Sequence, residues 1–369
     1  MTYEPGRMGI AEGMALAFIL TIPRLFITVP AEMLDIAAGL AWLMPLASGI
    51  GAFAGCWLLV FVLSRLPGYD LVGAAYHLLG RAGGFLVGLF YVGYFFLDAV
   101  LLLRQFAENT LLTALPLLEF SIAVAVYALV AGVLVYIGVE GIARTTYLLM
   151  PLGSVPLLVV LALLFPFYNV YHLLPWQGTG LGAVMPPALI GAGYNSGVLA
   201  LFILAKALQD LRTVKAATLY GLGASIALKA LCTFIFTLVF GYTTGREKML
   251  PFYEMARLVY LGRYVQRIEA LFILLWVMYG ILAIAANLFM GLYLVARLFG
   301  LPAIRPLIPV AALTVAFLAM IPQDITDTVT LDTVFIQTYA AAAIYAVPGL
   351  LLAASWRKDR RKGAKGCAG

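Results

Sequence analysis

Charge is what this sequence has least of. Only 11% of its 369 residues are Asp, Glu, Lys or Arg, against 64% hydrophobic, whereas a soluble domain carries about 25% charged and about 45–50% apolar residues. A water-soluble fold of this size could not cover so much apolar surface, and lipid solvates it without cost. Cysteine is scarce too: Cys56, Cys232 and Cys367 share no short spacing, and two of them lie in apolar runs. That pattern excludes a disulfide framework and a thiolate metal site. The two histidines, His77 and His172, are far apart. No His–carboxylate cluster, nucleophile elbow, phosphate loop or metal-ligand spacing occurs, which argues against an enzyme and against a bound cofactor or metal.

What is abundant is long hydrophobic runs. A spanning helix needs about 20 mostly apolar residues, and ten segments qualify: 9–30, 40–63, 84–113, 120–137, 141–165, 182–205, 217–240, 268–290, 306–321 and 334–354. The expected fold is therefore an all-α integral membrane protein of about ten transmembrane helices. The apolar stretch from Gly9 to Val29 exceeds a typical signal-peptide core and lacks a clean small-x-small cleavage site, so it reads as the first span.

The basic residues between spans alternate. Arg7, Arg65, Arg81, Arg144, Lys206, Arg212, Lys215, Arg297 and Arg305 mark one side; Glu32, Asp35, the uncharged stretch 166–181, Asp324, Asp327 and Asp332 mark the other. By the positive-inside rule the first set is cytoplasmic, as are both termini. The net charge of +6 points to membrane lipid and not to nucleic acid. Arg357, Lys358, Arg360, Arg361, Lys362 and Lys365 follow the last hydrophobic span directly, as a retention cluster beside anionic lipid does. Residues 1–356 form one transmembrane domain in this reading, and 357–369 a basic cytoplasmic tail. The connection 241–267 breaks the alternation with five basic residues. Within it, Phe252, Met255, Ala256, Val259 and Tyr260 fall at helical spacing, which predicts an amphipathic helix over the outer mouth of the bundle or on the lipid interface.

Two spans do not read as continuous helices. Span 1 contains Thr21-Ile22-Pro23-Arg24, with Thr28 and Pro30 following. Proline removes a backbone donor and clashes with the preceding turn, and an arginine facing lipid is costly. Span 6 contains Gly191, Gly193, Tyr194, Asn195, Ser196 and Gly197 at mid-membrane depth. Broken helices expose peptide groups that only protein or a cavity can satisfy. Interrupted helices at corresponding positions of two halves point to a transporter-type site. Here the halves are repeat one, about 9–165, and repeat two, about 182–354. Such a break can bind a carboxylate at half-helix N-termini and an amine at freed carbonyls, and an amino acid is the simplest ligand with both. The alternative is that Pro23 only kinks span 1 and the glycines only allow close packing.

Ionisable groups within spans are candidates for function. Asp98 and Arg104 lie in span 3, where Arg104 can pair with Glu108 at i, i+4. Lys229 lies near the middle of span 7. Arg24, Asp98 and Lys229 are expected to face the interior as a charge-balanced polar core, or to pair for structural reasons alone. Tyr94 and Tyr279, with Asn287, are candidate cavity-lining residues on spans 3 and 8. Glu140 and Arg144 are expected to form a solvated pair at the inner face, and Glu269 to pair with Arg267 or Arg263.

Several stretches carry a resemblance. Gly138-Val139-Glu140-Gly141-Ile142-Ala143-Arg144 opens span 5, and Leu174-Pro175-Trp176 with Gly178 and Gly180 precedes span 6. Pro251-Phe252-Tyr253-Glu254-Met255-Ala256-Arg257, then Arg267-Ile268-Glu269-Ala270-Leu271-Phe272 and Trp276, lead into span 8. In this order and spacing the chain resembles the spore germination permease family, the B subunits of nutrient-germinant receptors. The resemblance implies the amino acid–polyamine–organocation superfamily and a leucine-transporter-type 5+5 inverted repeat with helices 1 and 6 broken. It also implies A-type and C-type receptor subunits as partners, in the inner membrane of a bacterial endospore. The expected function is that of a receptor subunit sensing a small nutrient, most simply an L-amino acid. The alternatives are a proton-coupled amino-acid permease and a ligand-gated channel.

Overall fold

In the computed structural model, which describes residues 6–260 and 268–366, proline and glycine punctuate a chain that is otherwise almost continuously helical. The helices are α1 (Ile10–Thr21), α2 (Val29–Ala37), α3 (Leu43–Ser64), α4 (Leu71–Thr113), α5 (Phe120–Ile137), α6 (Val139–Leu163) and α7 (Leu181–Ile190). They continue as α8 (Leu199–Ile203), α9 (Leu211–Gly245), α10 (Pro251–Leu258), α11 (Ile268–Phe299), α12 (Ile308–Ala319), α13 (Ile325–Val334) and α14 (Val347–Gly366). Among the described residues eight helical stretches are long and apolar enough to cross a membrane. A ninth is the bent pair Ile10–Phe26 and Val29–Leu40, and the shorter apolar helix Arg305–Ala319 falls where the ninth span was expected.

Several spans run longer than hydropathy predicts. Span 3 begins at Leu71, because Asp70 caps α4 by accepting from the Gly73 N–H at 2.8 Å and a non-helical Gly80 joins a short N-terminal segment to the main helix. Span 8 extends to Phe299, so Arg297 is part of a helix rather than a loop. Its Nη2 donates to the fully buried Asp70 at 2.7 Å and ties the start of α4 to the end of α11. The largest correction concerns span 10. It begins at Ile325 in α13, capped by Asp324, and passes through π-helical turns at Phe335–Ala340 and Ala342–Ala346. Asp327 and Asp332, read above as outer-loop residues, therefore belong to a helix.

Two surfaces explain the composition. Large apolar side chains such as Leu129, Leu148, Leu152 and Leu313 are more than half exposed, forming the coat that lipid solvates. Inside, lipid supplies no hydrophobic drive for helix association, so close packing through small residues takes its place. The α1 and α9 helices meet through Gly13, Ala17, Ala217 and Gly221, and α1 is buried from Ala15 to its end.

The connection 241–267 carries the amphipathic helix as α10, which ends at Leu258. Phe252 and Met255 are buried, and Phe252 packs on Phe26 (ring centroids 5.9 Å apart) and Phe272 (6.2 Å). The apolar face of α10 is thus covered by protein next to the span 1 break. Val259 is buried, but Tyr260, expected on the same face, is exposed because the helix has already ended. The Glu269 partners Arg263 and Arg267, and Cys367, lie outside the described residues.

Candidate ligand site at the broken helices

The α1 helix stops at Thr21 for a chemical reason. Pro23 has no N–H to continue the ladder. Thr21 Oγ1 reaches back to the carbonyls of Ala17 (2.8 Å) and Phe18 (3.1 Å), a bonding mode that bends helices. The same hydroxyl lies 2.9 Å from Ser225 Oγ on α9. Ile22 is fully buried, Pro23–Phe26 forms a turn of 3₁₀-helix, and the two limbs of span 1 meet at 67°.

That bend directs Arg24 inward. Its Nη2 donates to Asp98 Oδ1 of α4 at 2.6 Å and to Asp332 Oδ1 of α13 at 2.7 Å, while Nε donates to Asp332 Oδ2 at 3.1 Å. The three residues are at most 6% exposed, so one guanidinium ties spans 1, 3 and 10 together. The expected pairing of Arg24 with Asp98 is present. The second carboxylate, Asp332, was assigned to a loop because span 10 was started too late.

Span 6 is interrupted by rewinding: Gly191–Val198 forms a 3₁₀-helix between α7 and α8. The tighter winding turns its polar side chains toward neighbouring spans. Tyr94 OH and Ser196 Oγ share a hydrogen bond of 2.7 Å, and Ser196 also donates to the Gly193 carbonyl at 2.6 Å. Asn195 Nδ2 donates to Ser48 Oγ at 3.4 Å, and Asn195 Oδ1 accepts from Lys229 Nζ at 2.8 Å. Tyr194 OH donates to Glu32 Oε2 at 3.2 Å, and Thr28 Oγ1 donates to Glu32 Oε1 at 2.8 Å. Replacing Tyr94 with Phe removes the span 3–span 6 bond but leaves Ser196 satisfied by Gly193. The expected cost is about 1 kcal/mol, a fall of roughly 2 °C in the Tm of the purified protein.

Two small cavities lie between these elements. The deeper one, about 10 Å³, is lined by Arg24, Val29, Met33, Ser48, Tyr194 and Lys229, among others. The second, about 40 Å³, is lined by Glu32, Gly191 and Gln337 and again by Met33, Ser48 and Tyr194. The deeper cavity has room for about one water molecule.

The structure also separates some residues that sequence reasoning grouped. Lys229 lines the deeper cavity with Arg24, but its bond is to Asn195 and it makes no ion pair with Asp98 or Asp332 among the described residues. Tyr279 packs on Phe18 and Phe26 and donates to the Met150 carbonyl at 3.0 Å, outside both cavities. Asn287 donates to the Ala283 carbonyl of its own helix and lies beside Asp98 rather than at either cavity. Arg104 pairs with Glu108 at 3.0 Å and covers the Phe120 ring, away from the break. Glu140 and Arg144 form the expected ion pair at an exposed position. Sequence reasoning missed Glu32, Ser48, Thr233 and Asp332. The Asp324-to-Asp327 capping pattern and the helical spacing of the buried Thr328, Asp332 and Phe335 were the available signals for the last.

The fold is shared with solved transporters. The chain superposes on MhsT in complex with L-phenylalanine with a TM-score of 0.67 at 17% identity, covering 95% of this chain and 89% of that one. It superposes on a Na+-coupled sialic acid symporter, solved in a substrate-bound outward-open state, with a TM-score of 0.59 at 12% identity, covering 92% and 80%. No curated protein matches the chain in sequence. Bundle, broken first span and interrupted sixth span together define a multi-pass membrane protein with a leucine-transporter-type fold. Residues 10–328 match the model of the spore germination protein family, Spore_permease, and the chain belongs to that family.

Proposed function

We propose that this protein is the membrane subunit of a spore germinant receptor and that a small nutrient, an L-amino acid, binds between the breaks of spans 1 and 6. The carrying observation is the pair of cavities at the two interruptions, lined by Lys229, Arg24, Tyr194 and Glu32 at the point where both helices leave the α conformation. Such a lining suits a polar guest better than a packed core does. Membership of the spore germination protein family supports a role in germination, and the similarly folded MhsT was solved with L-phenylalanine.

In this reading the ligand favours a conformation with an enlarged cavity, and that population shift is passed to A-type and C-type receptor subunits in the spore inner membrane. The two five-helix repeats, 9–165 and 182–354, move relative to one another, and both termini are cytoplasmic. A proton-coupled amino-acid permease is the second reading, favoured by the transporter fold.

Thermal unfolding of the purified chain across the twenty L-amino acids tests the ligand class. A binder at about 100 times its Kd is expected to add about 2.7 kcal/mol of apparent stability. Uptake of that amino acid into proteoliposomes holding this chain alone favours the permease. Loss of nutrient-triggered germination on deleting the gene, with no uptake by the isolated chain, favours the receptor. No stabilisation by any amino acid overturns the proposed ligand class.

A further inference from the structure

Three polar groups at the cavities are left incompletely matched by the protein. Lys229 is 6% exposed and its ammonium has three donors, yet it donates one hydrogen bond, to Asn195 Oδ1. Thr233, one helical turn further along α9, is 1% exposed and lines the same cavity, and its hydroxyl has no hydrogen-bond partner among the described residues. Glu32, lining the adjoining cavity, accepts from Thr28 and Tyr194 but forms no ion pair among the described residues. Arg24 differs from Lys229, because its charge is already met by Asp98 and Asp332.

Burying an ammonium against a single amide oxygen, and a hydroxyl against nothing, is costly unless a further partner arrives. A core built for stability alone would place Met and Val at these positions. We propose that Lys229 and Thr233 form a carboxylate-binding subsite, and that the ligand is a zwitterion whose ammonium end is directed to Glu32. Asn195 holds the lysine until the ligand carboxylate takes its place. Tyr194 and Ser48, shared by both cavities, stand between the two poles. The apolar lining of Leu25, Val29, Pro30 and Pro45 around the deeper pole suits a small aliphatic side chain once the cavity is enlarged. This assignment rests on the nutrient site proposed above and names the groups that recognise the ligand.

The experiment uses the purified full chain and the L-amino acid that stabilises it most, together with that compound's des-amino carboxylate and its decarboxylated amine. Thr233→Val is expected to leave the empty protein as stable as the wild type or more so, because it removes an unsatisfied hydroxyl, and to weaken the amino acid and the des-amino carboxylate about 10-fold. Lys229→Met is expected to weaken both by about 100-fold while sparing the amine, and Lys229→Arg to restore part of the loss. Glu32→Gln should do the reverse, weakening the amino acid and the amine and sparing the carboxylate. If Lys229→Met does not fold, the Thr233→Val and Glu32→Gln comparisons decide alone. Wild-type affinity for the amino acid in Thr233→Val and Glu32→Gln overturns this assignment and leaves the nutrient site standing. Failure of every amino acid to stabilise the wild type removes both.

Discussion

Replacing Arg24 with Met is expected to cost about 3–5 kcal/mol, the largest loss of any single substitution in the bundle. The reason is the state left behind more than the bonds removed. Asp98 and Asp332 are 1% and 6% exposed and share one guanidinium; without it, two like charges face each other out of water. Neutralising them should recover most of the loss, since replacing a buried ionic group wholesale is often close to neutral. Thermal unfolding of Arg24→Met, of Asp98→Asn with Asp332→Asn, and of the triple variant gives the comparison. The triple variant should be far more stable than the sum of the separate losses, because residues in one network are not additive. Simple additivity would show that the three side chains do not form the unit described here.

The second large effect is expected at Gly197. A side chain there would run into the backbone carbonyl of Leu20, in the last turn of α1 before the break. A backbone oxygen cannot swing aside as a flexible side chain can, so Gly197→Ala should cost about 1–3 kcal/mol through overpacking. It should also push the two interrupted helices apart and disturb ligand binding. Gly223, on α9, is the control: a Cβ there meets nothing within 4 Å. At that helical position Gly→Ala should be neutral or stabilising by up to about 1 kcal/mol. Equal outcomes for the two substitutions would mean that spans 1 and 6 are not in backbone contact.

Local rules made Pro23 legible as a break, because a missing donor and a ring clash act within one turn. They made Gly191 to Gly197 legible as an interruption, though its form as a 3₁₀-helix instead of extended chain depended on what packs around it. Hydropathy could not find where span 10 begins, because Asp327 and Asp332 lower the average over a segment that is nevertheless helical. Once that boundary was misplaced, Asp332 could not be recognised as the partner of Arg24. Glu32 was hidden in the same way: it looks like a loop acid by position, yet α2 carries it back to Tyr194 of span 6.

By itself the sequence determined the solvent and the two places where a helix fails, since apolar content and proline chemistry are properties of short stretches. Only the tertiary structure decided which charges meet. Arg24 finds Asp98 74 positions away and Asp332 308 positions away, and Lys229 finds Asn195 instead of either. Such pairings depend on which faces of distant helices are turned toward one another, a quantity that no local periodicity contains.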